Sequence, residues 1–281
     1  MDPNDVSTTT GSSETRESER RFIGRYEIRR LLGTGGMGQV YLAHDPVLDR
    51  EVALKLIGSE IDDDKARNRL VEEARAAGRL RHPNIVTIFD AGEHAGAPYI
   101  AMEHVGGETL RGLIRRRAPL SLAHRLELIE GACAGLAHAH RANVVHFDVK
   151  PDNLMLDVGG VLKVLDFGIA RVLKAEVLVT KQLSGTLRYM SPEQVSGAPL
   201  DRRSDVFSLG CSLFELIAYE PAYTGSVPEL IGCIVNGPVS AWPMRCLRWI
   251  PGSTPWLRAP WPWTPRSGST TSTSWVLRLA G

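Results

Sequence analysis

The chain has 281 residues, of which 43% are hydrophobic and 23% charged, and these are ordinary values for a soluble globular protein. The length suits one large or two small domains, and the net charge of +1 gives no reason to expect nucleic acid or an acidic membrane as a partner. The four cysteines lack the spacing of a metal or disulfide site, which predicts a reducing, cytoplasmic setting. No apolar stretch reaches the roughly 20 residues of a membrane span, so none is expected.

The two ends of the chain differ in composition from the middle. Residues 1–21 are dominated by Ser, Thr and charged side chains, which predicts a disordered polar tail. The last 41 residues, 241–281, contain all six tryptophans and five arginines but no Lys, Asp, Glu or His. The near-neutral total therefore averages a mildly acidic body and a basic, Trp-, Pro- and Arg-rich tail.

Between these ends, a β-rich part with one helix precedes a helix-rich part. Five segments have the apolar pattern of strands: Tyr26–Leu32, Val40–His44, Glu51–Ile57, Ile85–Asp90 and Tyr99–Glu103. Four segments have helical spacing: Asp62–Leu80, Thr109–Arg116, Ser121–His140 and Ser204–Tyr219. This order predicts an α+β architecture.

A glycine-rich turn follows the first predicted strand. Gly33-Thr34-Gly35-Gly36-Met37-Gly38-Gln39-Val40 matches the pattern G-x-G-x-x-G-x-V, in which glycines let backbone N–H groups approach phosphate oxygens. Such a motif alone is more often only a turn. Because a strand follows it here, the motif favours a β-hairpin over phosphates rather than a dinucleotide-binding turn.

Lys55 lies inside an apolar strand, in Val52-Ala53-Leu54-Lys55. One interpretation is an edge-strand lysine that reaches water. The other is a lysine that binds nucleotide phosphates and needs an anionic partner, for which Glu73 on the following helix is the candidate.

The most informative segment is His146-Phe147-Asp148-Val149-Lys150-Pro151-Asp152-Asn153, followed by Asp166-Phe167-Gly168. Asp148 can orient or accept a hydroxyl proton, and Lys150 can neutralise charge on a transferring phosphoryl group. Asn153 and Asp166 supply the hard oxygen ligands that Mg²⁺ prefers. Any one of these residues alone would be read as a solvated loop residue, but the ordered set favours phosphoryl transfer.

From about Arg25 to about Pro238 the sequence resembles the eukaryotic-like (Hanks-type) serine/threonine protein kinases of bacteria. The resemblance implies a bilobal protein-kinase fold, with a β-rich N-lobe and hinge over 22–105. It also implies a helical C-lobe over 106–240 that lacks its last helices.

The resemblance implies ATP as the phosphate donor and Mg²⁺, or Mn²⁺ in its place, as the metal. Asp148 would be the catalytic base, with Lys150 at the γ-phosphate and Lys55 paired with Glu73. Asn153 and Asp166 would hold the metal. The implied nucleotide contacts are Gly33, Thr34, Gly35, Gly36, Gly38, Val40, Ala53, Lys55, Met102, Glu103, Val105 and Met155.

The resemblance also implies the substrate class. Asp148-Val149-Lys150-Pro151 and Gly185-Thr186 have the form seen in kinases of protein Ser and Thr residues. Thr180 and Ser184 are candidate autophosphorylation sites. Asp205 would support the catalytic loop from a buried helix.

Phe147 is one departure from the family pattern, because it replaces the arginine that pairs with a phosphorylated activation loop. A phenylalanine cannot form charge-assisted hydrogen bonds. We therefore expect a weak dependence of activity on loop phosphorylation. The alternative for Phe147 is that it has no such role and only packs locally.

The second departure is that the kinase pattern stops near residue 240, so the arginine expected to pair with Glu193 is missing. Reading a back-translation of Trp263–Leu279 one base earlier can give a sequence similar to the end of a bacterial kinase domain. One hypothesis is a frame disruption between about Asn236 and Trp242, and the alternative is a genuine divergent tail.

Two other functions compete with an active protein kinase. An incomplete C-lobe would suit a kinase-like module that binds nucleotide but is catalytically impaired. A small-molecule phosphotransferase would not explain why the chain contains the segment Gly185–Glu193.

Overall fold

A computed structural model describes residues 21–35, 38–57, 72–167 and 183–236. The polar tail, the Trp-rich segment, Gly36, Gly168 and Thr180 lie outside the described residues. The hypotheses about both ends of the chain therefore stay predictions.

A six-stranded antiparallel sheet forms the first half of the chain, in the order β1-β2-β3-β4-β6-β5. The strands are β1 (Phe22–Ile23), β2 (Tyr26–Gly35), β3 (Gly38–Asp45), β4 (Arg50–Ile57), β5 (Ile88–His94) and β6 (Ala97–Glu103). Helix α1 lies between β4 and β5 in sequence, and its described part covers residues 72–77.

Alternation along β4 determines which face of the sheet carries Lys55. Val52 and Leu54 pack into one buried cluster with Tyr26, whereas Ala53 and Ile57 pack into a second cluster. Because successive side chains of a strand point to opposite faces, Lys55 shares the face of Ala53 and Ile57. Lys55 is only 5% exposed, so it is a buried lysine and not an edge residue in contact with water.

The second half of the chain combines a small sheet with helices. The strands β7 (Gly107–Thr109), β8 (Leu154–Asp157) and β9 (Leu162–Val164) pair antiparallel. The helices are α2 (Leu110–Arg115), α3 (Leu122–Arg141), α4 (Leu183–Leu187), α5 (Pro192–Ser196), α6 (Arg203–Ala218) and α7 (Val227–Asn236). The apolar faces of α2, α3 and α6 form a core with β8 and β9, whereas α4 and α7 pack into a separate cluster.

Helix α6 presents buried serines to its neighbours. Ser204, Ser208 and Ser212 follow one another at intervals of four residues and are at most 2% exposed. The Ser208 hydroxyl lies 2.9 Å from the Ser204 carbonyl and 2.6 Å from the Tyr189 carbonyl, and Ser212 donates to Ser208 at 3.0 Å. These small side chains let the backbone around Tyr189 approach the helix closely.

One prediction of secondary structure needs correction. The strand predicted over Ile85–Asp90 begins at Ile88, because residues 84–86 bond to the segment around Val164 instead. The strands β1, β7, β8 and β9 and the helices α4, α5 and α7 were not predicted from the sequence. Along the described residues, no helix is both long and apolar enough to cross a membrane.

Candidate active site

The loop before β8 brings three of the predicted polar groups into contact. Lys150 Nζ lies 2.8 Å from Asp148 Oδ2. The Asn153 amide nitrogen donates to the same carboxylate oxygen at 3.1 Å and to the Asp148 carbonyl at 2.8 Å. Asp148 is 7% exposed, so its carboxylate is held by specific donors in a largely buried position.

Asp205, at the start of α6, supports this loop through hydrogen bonds to its backbone. Its carboxylate accepts the backbone N–H groups of His146 at 2.8 Å and Phe147 at 2.7 Å. His140 Nε2 lies 2.7 Å from the same carboxylate. Asp205 is completely buried, so these contacts replace the water that a carboxylate would otherwise bind. The structure thus shows the supporting role that the resemblance implies.

The two residues before Asp148 hold the loop from other directions. His146 Nε2 lies 2.6 Å from the Leu165 carbonyl, and its ring packs 4.8 Å from that of Phe167. Phe147 has a left-handed backbone (φ 62°), and its carbonyl accepts the Gln194 side-chain amide at 2.8 Å. The Phe147 side chain is 7% exposed, which makes it part of the packing.

Lys55 makes an ion pair with Asp166, at 2.9 Å between Nζ and Oδ2, a contact that the sequence analysis did not predict. The loop after β9 brings Asp166 to the face of β4 that carries Lys55, and the left-handed backbone of Asp166 (φ 59°) orients its carboxylate there. Glu73 lies on α1, where it lines a cavity of about 520 Å³ together with Phe147 and Arg202. The Lys55–Glu73 pair therefore stays a prediction, whereas the Lys55–Asp166 pair is seen in the structure.

The glycine-rich motif forms the β2–β3 hairpin, as the strand after it predicts. Gly33 pairs with Val40, Thr34 with Gln39, and Gly35 with Gly38 across the hairpin. A Cβ on Gly38 would lie 2.0 Å from the Leu56 carbonyl oxygen, and the φ of Gly38 is +129°. A Cβ on Gly33 or Gly35 would meet nothing within 4 Å. Packing within the protein thus requires glycine at 38 but not at 33 or 35.

The side chains predicted to surround adenine lie in one apolar cluster. Ala53, Met102 and Val105 are buried in it, and Val40 and Met155 pack against it. Ala53 is directly opposite Met102 across β4 and β6. The Glu103 N–H donates to the Thr87 carbonyl at 2.8 Å. A backbone hydrogen bond from Glu103 to a ligand would therefore use the Glu103 carbonyl oxygen.

The segment that begins at Leu183 lies beside the catalytic loop. Thr186 Oγ1 is 3.4 Å from Lys150 Nζ, which places Thr186 near the pair of Lys150 and Asp148. Ser184 lies within α4. Glu193 accepts the Ser204 hydroxyl at 2.6 Å.

Sequence reasoning did not identify a second polar cluster next to this loop. It joins Arg111 of α2, Asp152, Tyr189 and Glu215 of α6. One signal was available: Glu215 interrupts the apolar stretch Leu209–Tyr219, and a lone acid in a buried helix needs a partner. Gln194 was also not predicted as a support of the loop, because its contact is with a backbone atom.

Comparison with known proteins agrees with this geometry. The family model described as protein kinase domain matches residues 26–232. A probable serine/threonine-protein kinase of Streptomyces coelicolor is 42% identical over 223 residues, which are 76% of this chain and 33% of the relative. Serine/threonine-protein kinase PrkC of Bacillus subtilis is 42% identical over 211 residues, which are 74% of this chain and 32% of the relative. The chain thus spans about a third of the length of these curated relatives.

Solved structures show the same fold. A crystal structure of the Mycobacterium tuberculosis PknI kinase domain superposes with a TM-score of 0.62 at 31% identity, covering 74% of this chain and 79% of that one. Its fold confirms the predicted class, a β-rich lobe and a helical lobe with the candidate site between them. The chain belongs to the protein kinase family and is related to the serine/threonine kinases of bacteria.

Proposed function

We propose that this chain transfers the γ-phosphoryl group of ATP to Ser and Thr hydroxyls of proteins, with Asp148 as the base. The observation that carries the proposal is the buried cluster of Asp148, Lys150 and Asn153 in a loop that Asp205 holds in place. A carboxylate, a cation and an amide in contact are the groups that in-line phosphoryl transfer requires.

The nucleotide site proposed here combines three features of the first sheet. The apolar cluster around Ala53 and Met102 suits a flat aromatic base. Lys55 supplies a buried positive charge for the phosphates. Gly33 and Gly35 have open space where a side chain would stand, so no Cβ would hinder the approach of phosphate oxygens to this part of the hairpin.

Asn153 and Asp166 fit a magnesium site. The hydrogen bonds of Asn153 described above use its side-chain nitrogen, so the atom that would bind a metal is its side-chain oxygen. Mg²⁺ is usually held by one or two protein oxygens together with phosphates and water, so two protein ligands suffice. When bound, Mg²⁺ would neutralise phosphate charge, and the same donors would accept Mn²⁺.

In the proposed reaction, the substrate hydroxyl approaches Asp148 and gives its proton to the carboxylate as the oxygen bonds to phosphorus. The bond from phosphorus to the bridging oxygen of ADP breaks, and ADP leaves. Lys150 contacts the same carboxylate and is placed to neutralise charge on the transferring group. Asn153 fixes the orientation of the Asp148 carboxylate through the bond to Oδ2.

The test is phosphorylation of protein and peptide substrates with labelled ATP and Mg²⁺. Wild type is compared with Asp148→Asn and with Asp49→Asn, a matched change at an exposed turn residue. We expect Asp49→Asn to keep the wild-type rate and Asp148→Asn to lose about 1,000-fold or more. Equal labelling by wild type and Asp148→Asn would contradict the proposal. A rise in melting temperature with ATP but no transfer would identify a nucleotide-binding module instead.

We also propose that the chain acts in the cytoplasm and phosphorylates itself at Thr180 or Ser184. The described cysteines Cys133, Cys211 and Cys233 are free thiols, which suits a reducing compartment. Mass spectrometry of the protein after incubation with ATP, with Asp148→Asn as the control, tests the two modification sites.

A further inference from the structure

Arg111 on α2 has no part in the chemistry proposed above, yet all three nitrogens of its guanidinium have partners. Nε lies 3.2 Å from Asp152 Oδ2, and Nη1 lies 2.6 Å from Glu215 Oε1. Nη2 bonds to the Tyr189 hydroxyl, which in turn donates to Glu215 Oε2. One guanidinium thus fills a site made by two carboxylates and a phenol.

The groups that form this site depend on a positive charge between them. The Glu215 side chain is 6% exposed and that of Asp152 is 48% exposed, so one carboxylate is buried and the other faces the surface. Burial lowers the pKa of Arg111, but the Tyr189 hydrogen bond and the two carboxylates outweigh it, and the net shift is upward. Without a cation here, Glu215 would be a buried charge lacking its counter-ion.

This site adjoins the place where a substrate must bind. Asp152 lies between Lys150 and Asn153 in the catalytic loop, and Tyr189 follows Thr186, which approaches Lys150. An extended peptide advances about 3.3–3.6 Å per residue. A substrate whose hydroxyl reaches Asp148 therefore carries neighbouring side chains past the Asp152 carboxylate.

We infer that Arg111 is a specificity-determining residue that occupies, from within the chain, the position a substrate arginine would otherwise take. With Arg111 in place, the acidic pair does not select a basic side chain near the phosphoacceptor. The inference rests on the proposed protein kinase function. Arg111 thus affects which substrates are selected, whereas Asp148 and Lys150 act in the transfer step.

The test is a peptide set in which Arg or Ala is placed at each position within four residues of one serine. We expect wild type to give similar kcat/KM values for the Arg and Ala members at every position. Arg111→Gln should favour Arg by about tenfold at one position, where the peptide guanidinium reaches the vacated carboxylates. Arg116→Gln is the matched control, because Arg116 lies at the end of the same helix and pairs with Glu108.

Two variants separate specificity from a structural role. Arg111→Gln combined with Asp152→Asn should lose most of the gained preference. If Arg111→Gln alone is too unstable, the variant with both Arg111→Gln and Glu215→Gln removes the buried charge, and Asp152 should still give a weaker preference for Arg. The inference is wrong if wild type already prefers Arg at the same position, or if folded variants show the wild-type profile with only a lower kcat.

Peptide binding gives a readout that does not need phosphoryl transfer. A fluorescent Arg-containing peptide should bind Arg111→Gln more tightly than wild type, and high salt should reduce the difference. If wild type transfers no phosphate to any peptide, the proposed function fails while this measurement still tests the inference. Equal affinity of the two proteins for the Arg peptide would overturn it.

Discussion

The catalytic loop and the glycine-rich hairpin contribute to one proposed site, but the protein fixes them to very different degrees. Residues 146–153 are tied by hydrogen bonds to α6, to α5 and to the strand segment at Leu165. In the hairpin, residues 31–35 are exposed, and two of the glycines face open space. The protein itself therefore fixes the geometry of Asp148, the proposed base, whereas the hairpin has open space where we propose that the phosphates bind.

The largest expected effect breaks the support of the catalytic loop. Asp205→Ala leaves the His146 and Phe147 N–H groups without their acceptor, at a cost of about 1–3 kcal/mol each. We expect the melting temperature to fall by roughly 10 °C, since 1 kcal/mol is about 2–4 °C at this size. Asp205→Asn should fall between Ala and wild type, and Asp201→Asn at the exposed helix start should change little. A small loss in Asp205→Ala would mean that other contacts hold the loop.

Two glycine substitutions sharpen the comparison within the hairpin. Gly38→Ala forces a Cβ against the Leu56 carbonyl and strains the backbone, at about 1–3 kcal/mol, so thermal unfolding should shift down. Gly35→Ala should leave the melting temperature within about 1 °C but raise the KM for ATP severalfold, because the methyl group would fill open space beside the proposed phosphate site. Equal thermal losses in both variants would show that the hairpin is as tightly packed as the loop.

The next comparison is between the activation segment, which contains Thr180, and the catalytic loop, which contains Phe147. Since Phe147 is packed and cannot bind a phosphate, Thr180→Ala should lower the rate by less than about threefold. The measurement is initial rate with a fixed peptide, with Ser184→Ala alongside. Loss of nearly all activity in Thr180→Ala would contradict this expectation.

The smallest expected effect concerns Asp45, at the end of β3 in the first sheet. Burial raises the pKa of Asp45, but hydrogen bonds from Arg25 and the Val47 N–H outweigh it, and the net pKa is below the ordinary 3.8. The ionised form therefore stabilises the fold above that pH, and this contribution is lost as pH falls through the lowered pKa.

Because Arg25 is 42% exposed, we expect Arg25→Gln to cost less than about 1 kcal/mol at pH 7. Its difference from wild type in thermal unfolding should narrow toward pH 3. Arg30→Gln, at an exposed position of β2, serves as the control. A difference that stays constant with pH would exclude the Arg25–Asp45 pair as its source.

Sequence patterns predicted the parts of the site that are close together in the chain. Asp148, Lys150 and Asn153 fall within one short loop, so their contact needs no knowledge of the fold. The ion pair of Lys55 joins residues far apart, and both Glu73 and Asp166 were chemically suitable. The contact with Asp166 depends on how the loop after β9 packs against β4, which no local pattern shows.

Helix α7 shows why some elements escaped sequence reading. It contains Pro228, Gly232 and several β-branched residues, which are weak helix formers. Leu230 and Ile234 pack against Leu187 and Met190, and this tertiary contact stabilises the helix. The sequence pattern likewise did not predict that Gln194 supports the catalytic loop. A side chain that bonds to a backbone carbonyl does not require a particular residue type at the partner position.

The serines of α6 have a consequence for which sequences this fold can accept. At Ser208, alanine keeps the size but loses a hydrogen bond worth about 1 kcal/mol, and threonine keeps the bond but adds a methyl group to filled space. Valine would both lose the hydrogen bond and add bulk. The range of tolerated residues is therefore narrower here than at an ordinary apolar core position, where swaps of similar volume usually cost less than about 1.5 kcal/mol. Sequence drift in such a protein should therefore be slower along this hydroxyl-lined face of α6 than at ordinary apolar core positions.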